Sequence, residues 1–169
     1  MKQMLKYILS VVMESMRIAE NKHGIILALN SGLIVITVGF FSSNILSVIL
    51  LNLLVIIMCS ISIIFCFLGL FARDISYRRQ KHSLKNLNLL YFKDISNFAE
   101  KDYLNCIIKA YDFPKDYEPD NFELDLARQI VVNSKIATKK YKFFNQSVIF
   151  LVAGLVINIF LMSIVGFGG

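Results

Sequence analysis

Residues 24–72 read GIILALNSGLIVITVGFFSSNILSVILLNLLVIIMCSISIIFCFLGLFA, and no Lys, Arg, Asp, Glu or His interrupts them. A helix crosses the ~30 Å hydrocarbon core with about 20 apolar residues. This run is too long for one crossing and suits two, with Ser42-Ser43-Asn44 as the turn between them. A second charge-free run, residues 143–169, has room for one more. The sequence therefore predicts an all-α fold: an integral membrane helical bundle with three transmembrane helices, over 24–41, 45–70 and 147–167, and a cytoplasmic helical segment. Uninterrupted apolar runs of this length favour spans over the core helices of a soluble domain. A cleaved signal peptide is not expected either. The first apolar run starts after 23 residues, and no small-residue cleavage site follows a short apolar core.

Outward from the hairpin, charge returns abruptly as ARDISYRRQK at 72–81. All eighteen Lys and Arg of the 169-residue chain fall in 1–23 and 73–145. Basic residues flanking spans stay on the cytoplasmic face, so the N-terminus and residues 73–145 are expected in the cytoplasm. The stretch after the second span then meets anionic headgroups, each basic residue contributing about 1 kcal/mol. Almost nothing projects outside, so the input should come from the cytoplasm. Four segments follow: 1–23, an amphipathic N-terminal helix; 24–72, a transmembrane helical hairpin; 73–145, the cytoplasmic helical segment; and 146–169, the third transmembrane helix.

In the first segment Leu5, Ile8, Val12, Met16 and Ala19 recur at helical spacing opposite Lys6, Glu14 and Arg17. Such a helix either lies on the membrane surface or packs on the cytoplasmic helices. In 73–145, Leu87, Leu90, Tyr91, Ile95 and Phe98 suit a helix continuing out of the second span, and Tyr103 to Tyr111 a second. The loop DFPKDYEPDN (112–121) holds both prolines. Asp120 three residues before Glu123 forms a capping box that opens a third helix running into the last span.

The first span carries small residues at Gly24, Ala28 and Gly32, spaced for close helix packing. Their partner is another span of the same chain or a second copy, making the protein a homo-oligomer. Asn30, Asn52 and Asn158 are mid-span amides that hydrogen-bond between helices or line a wet path. No span contains an ionisable residue, which removes the usual equipment of proton pumps.

No phosphate-binding glycine loop, GxSxG, HExxH or paired-carboxylate signature occurs, and no CxxC or His-rich spacing suits a metal. The expectation is a protein that is not an enzyme, with no catalytic residues, metal or cofactor. Two basic clusters remain, Arg73/Arg78/Arg79/Lys81/Lys85 and Lys135/Lys139/Lys140/Lys142. Membrane topology by itself calls for such clusters. With Tyr77, Tyr91 and Tyr141 among them they also suit an anionic nucleotide, cations neutralising the phosphate and rings stacking on the base. The candidate ligand-binding residues are Lys22, Arg78, Arg79, His82, Tyr91, Lys135, Lys139 and Tyr141. Ten acids in the same segment argue against a nucleic acid polymer as partner.

AENKHGIILALNSGLI (19–34), ARDISYRRQK (72–81) and DLARQIVVNSKIATKKYKFFNQSVIFLVAGLV (125–156) resemble the transmembrane Pycsar effector family, and the layout is similar over nearly the whole chain. Asn21, Lys22, Gly24, Lys135, Lys139, Lys140 and Tyr141 lie in the matching motifs. The resemblance implies a bacterial antiphage effector of the inner membrane. A cyclase activated by infection would make a cyclic pyrimidine mononucleotide, cyclic UMP or cyclic CMP. The effector would respond by impairing the membrane and halting the cell. The competing reading is a non-catalytic membrane scaffold or regulatory subunit, holding a cytoplasmic partner through Tyr103–Tyr111 and the proline loop.

Overall fold

The computed structural model describes residues 1–39, 46–72, 87–114 and 116–167. Five helices follow in order: α1 (Lys2–Gly39), α2 (Leu46–Leu70), α3 (Phe92–Ile95), α4 (Glu100–Ala110) and α5 (Asn121–Phe167); no strand occurs among the described residues. α1, α2 and α5 are each long and apolar enough to span a membrane. The protein is an all-α membrane protein with three such helices.

The chain divides into two compact units, a charged unit of Met1–Ala19 with Ala72–Lys140 and a membrane unit of Glu20–Phe71 with Tyr141–Gly169. α1 and α5 contribute to both without a break. The amphipathic helix of the first segment and the first span are thus one helix. Gly24 and Gly32 do not interrupt it. A Gly costs a helix about 1 kcal/mol, whereas an unsatisfied backbone group in hydrocarbon costs several.

The charged unit has an ordinary apolar interior. Leu5, Ile8 and Val12 of α1 pack with Ile95, Phe98, Tyr103, Leu104 and Ile107, and with Leu126, Ala127, Ile130 and Val131 of α5. This resolves the choice left open by the sequence: the amphipathic face of α1 is buried on helices rather than laid on lipid. Each such side chain contributes about 1.5–3 kcal/mol, enough to draw the first five turns of α1 onto α4 and α5.

Residues 87–91 are not helical, although their apolar spacing suited a helix running on from the second span. α2 ends at Leu70. The Asn88 carboxamide oxygen accepts from the Leu90 N–H at 2.9 Å, and the Asp94 carboxylate accepts from the Asn88 N–H at 3.0 Å. These local bonds offer the backbone an alternative to the helical ladder, leaving only the single turn of α3.

The capping box at the start of α5 forms as its spacing predicts. The Glu123 N–H donates to Asp120 at 2.9 Å and the Asp120 N–H donates to the Glu123 carboxylate at 3.2 Å. Lys2 pairs with the same Asp120.

The membrane unit inverts the pattern of the charged one. Ile25, Leu29, Val35 and Ile36 of α1, Leu53, Ile57, Ile64 and Phe67 of α2, and Ile149, Val152, Val156 and Phe160 of α5 face outward. Its buried residues recur at intervals of three and four: 23, 26, 30, 33 and 37 on α1; 52, 55, 59, 62, 66 and 69 on α2; 147, 151, 154, 158 and 161 on α5. That is the heptad seam of left-handed helix packing. Among these positions His23, Asn30, Thr37, Asn52, Ser62, Ser147 and Asn158 are polar and buried. In lipid such groups have no other place to find partners. The Asn30 amide donates to the Ser62 hydroxyl at 2.9 Å, which donates to the Ser147 carbonyl at 2.8 Å. The Asn158 amide donates to Thr37 at 2.9 Å.

Candidate functional site

Arg78, Arg79 and His82 lie outside the described residues, as do Arg73, Tyr77, Lys81 and Lys85. The other five candidates separate between the two units. Tyr91 caps α3 in the charged unit, 44% exposed, with its ring 4.9 Å from that of Phe92. Lys135 and Lys139 are half-buried one turn apart on α5 in the same unit. Lys140, beside them, is only 3% exposed.

Lys22 and Tyr141 meet in the membrane unit. The Lys22 ammonium sits 5.2 Å from the centre of the Tyr141 ring and 5.4 Å from that of Phe144. Cation–π attraction operates at this range. The chain's own cation therefore occupies a face of Tyr141, the ring that the sequence reading offered to a base. Next to it, His23 is fully buried, its ring edge-on to Phe144 at 5.9 Å. Gly69 lies so close that a Cβ there would collide with the imidazole.

Gly24, Ala28 and Gly32 are exposed, and a Cβ at Gly24 or Gly32 would meet nothing within 4 Å. A single chain does not use the stripe for packing between its own spans. The small residues that do admit a neighbour are Gly69 and Gly154, the latter facing Met58, Cys59 and Leu33.

The structure adds a cleft that the sequence reading did not identify. Asn105, Ile108, Lys109, Asp112, Phe113 and Tyr117 line about 490 Å³ in the charged unit, within the range of small-molecule sites. Its shape comes from the end of α4. The Phe113 N–H bonds the Ile108 carbonyl at 3.1 Å, and Asp112 between them has φ 53°. This is the helix-terminating turn that Gly usually makes, here with an Asp in the left-handed region. The turn brings Phe113 beside Tyr117, ring centres 5.3 Å apart.

The Tyr117 hydroxyl donates to both Glu123 carboxylate oxygens at 2.8 and 2.9 Å, and that bond holds the phenol protonated by raising its pKa. The cleft thus offers one ammonium, one carboxylate, one amide and two rings, groups that suit a small planar heterocycle bearing charge. The signal in the sequence was the pair of prolines that fix the loop. The left-handed Asp112 left no trace, because Asp is common in turns of every kind.

Tyr103 is fully buried and donates to the Leu89 carbonyl at 2.9 Å, and burial pushes its phenol well up. It is a core residue, so a partner docking on Tyr103–Tyr111 would find only Tyr111 and its exposed neighbours. Cys106 is half-buried, and burial raises its thiol pKa, away from nucleophilic behaviour. Among the described residues no cluster of His, Cys, Asp or Glu is placed to hold a metal ion.

A family model described as the Pycsar effector protein domain matches residues 4–167. No curated protein matches the chain, and no solved structure does.

Proposed function

The chain belongs to the Pycsar effector family, a family of bacterial antiphage effectors, and from that premise we propose that it is a non-catalytic switch that depolarises the inner membrane on binding cyclic UMP or cyclic CMP. In this reading the N-terminus and residues 73–145 face the cytoplasm, where a partner cyclase releases the nucleotide. The ligand is read by the charged unit. Two places suit it: Lys135 and Lys139, with Arg78 and Arg79, supply cations for the phosphate, or the cleft beside Lys109, set apart by the roughly 18 Å of α5 between Glu123 and Lys135, supplies an ammonium, rings and an amide of its own. Copies associate through the uncovered Gly24–Ala28–Gly32 stripe, whose backbone can approach a second helix closely.

The observation that carries this reading is the continuity of α1 and α5, each a single helix contributing to both units. A ligand shifts an equilibrium only by its differential affinity for two states. A ligand that re-angles α1 against α5 in the charged unit has no loop in which that change could be absorbed before the spans.

The test is dye-reported membrane potential in liposomes holding the purified protein, with each nucleotide added on the side of the charged unit. Depolarisation by one nucleotide, lost in Lys135→Glu/Lys139→Glu or in Lys109→Glu, supports the reading and identifies which cations matter. No response to either nucleotide refutes it.

A further inference from the structure

We propose that the interior of the membrane unit, rather than a lumen between copies, is the aqueous path through which the protein leaks water and small monovalent ions. This rests on the reading that the chain impairs the membrane.

Asn52 motivates it. It is fully buried in α2, and neither its amide nitrogen nor its carbonyl oxygen has a partner among the described residues. An amide left dry in hydrocarbon costs several kcal/mol. The amide nitrogens of Asn30 and Asn158 donate to Ser62 and Thr37 and act as glue between helices, while the Asn30 carbonyl oxygen, like both polar atoms of Asn52, has no partner among the described residues. Asn52 is not glue. No described residue meets its bonding capacity; water does, reaching it in some populated state of the bundle.

The placement of the other polar groups extends that wet point into a route. On α1, positions 23, 30 and 37 are seven residues apart, about 10 Å per step, so polar groups recur over about 21 Å, roughly two-thirds of the ~30 Å bilayer core. Ser62, Ser147 and Asn158 answer them from the facing helices. Between the polar levels sit Ile26, Leu33, Val55 and Leu151, apolar constrictions of the kind that gate by excluding water. Their separation by a small splay of the helices would connect the levels. Apart from His23 and the thiols of Cys59 and Cys66, the route has no ionisable side chain among the described residues, hence no ring of fixed charge with which to select by sign.

The chain carries its own reporters. Cys59 and Cys66 follow Asn52 at successive heptad positions on the same interior face and are fully buried; Ser60, at the depth of Cys59, faces outward. The experiment uses single-cysteine forms of the full chain in liposomes, keeping Cys59, keeping Cys66, or carrying Ser60→Cys without the native cysteines. A charged, membrane-impermeant methanethiosulfonate is applied with and without nucleotide while leak is recorded. In leaking protein Cys59 and Cys66 should react at least tenfold faster than the cysteine at position 60.

Leak with interior thiols no faster than that control overturns the inference while the functional reading stands, since ions then pass between copies or through disturbed lipid. Reactive interior thiols without a nucleotide-triggered leak keep the wet interior and remove the nucleotide trigger. Neither leak nor reactivity removes both. Asn52→Leu gives an independent readout. Removing an unsatisfied amide should raise the unfolding midpoint and reduce leak several-fold, whereas a purely structural asparagine would lower the midpoint when replaced by Leu.

Discussion

Gly69→Ala tests the closest approach in the membrane unit. A methyl group there would be driven into the edge of the His23 ring, against Nε2 and Cε1 and 3.1 Å from Cδ2. To restore the ~3.5 Å of ordinary carbon contact the ring would have to withdraw by roughly an ångström. A flexible exposed side chain would swing aside at little cost. His23 cannot, because it is fully buried and wedged edge-on against Phe144. Overpacking of such a site costs about 1–3 kcal/mol, a change of roughly 5- to 150-fold in the folded-to-unfolded ratio. The assay is reversible unfolding of the purified chain in mixed micelles, followed by circular dichroism. His23→Ala/Gly69→Ala should recover part of the loss, since the smaller side chain leaves room for the methyl. Wild-type stability in Gly69→Ala, or a double variant no more stable than the sum of the two single changes requires, would refute the steric reasoning.

Asp120→Ala removes the cap of α5 together with the partner of Lys2, and should destabilise the charged unit by about 0.5–2 kcal/mol, measured by the same unfolding curves. The Lys2 ammonium, through its hydrogen bond, holds the Asp120 carboxyl below its ordinary 3.8. Its contribution to stability is therefore present above that ordinary value and is lost as pH falls through the lowered one; an NMR titration should show the Asp120 midpoint below 3.8, moving back up in Lys2→Ala. Tyr103→Phe, which strips the donor from the Leu89 carbonyl, should cost about 1–2 kcal/mol, while Tyr111→Phe at its exposed position should leave the curve unchanged. Gly32→Leu should not destabilise the isolated chain, because nothing lies within 4 Å of the added Cβ and loss of a helical glycine contributes up to about 1 kcal/mol, and should weaken self-association in a crosslinking assay if copies meet on that stripe.

Length and hydropathy settled the membrane character of this chain in advance. Runs free of ionised groups have few alternatives to lipid, and their lengths count the crossings. The Asp120–Glu123 box was equally legible, because its reciprocal bonds close within four residues. Which face of each span turns inward was not. The apolar residues Ile25, Ile26, Leu27 and Leu29 are interchangeable in hydropathy, and only packing against α2 and α5 buries Ile26 and leaves Ile25 and Leu29 to lipid. The partner of the small-residue stripe stayed open for the same reason: a spacing states which residues share a helix face and is silent on what covers it. The Gly that admits a neighbour, Gly69, answers His23 from a different helix, a coincidence of two distant positions that no local pattern encodes. The cleft beside Lys109 likewise depends on a left-handed Asp112, a backbone choice that composition does not disclose. Sequence fixes what a segment can tolerate as its surroundings; the surroundings themselves exist only once the helices have met.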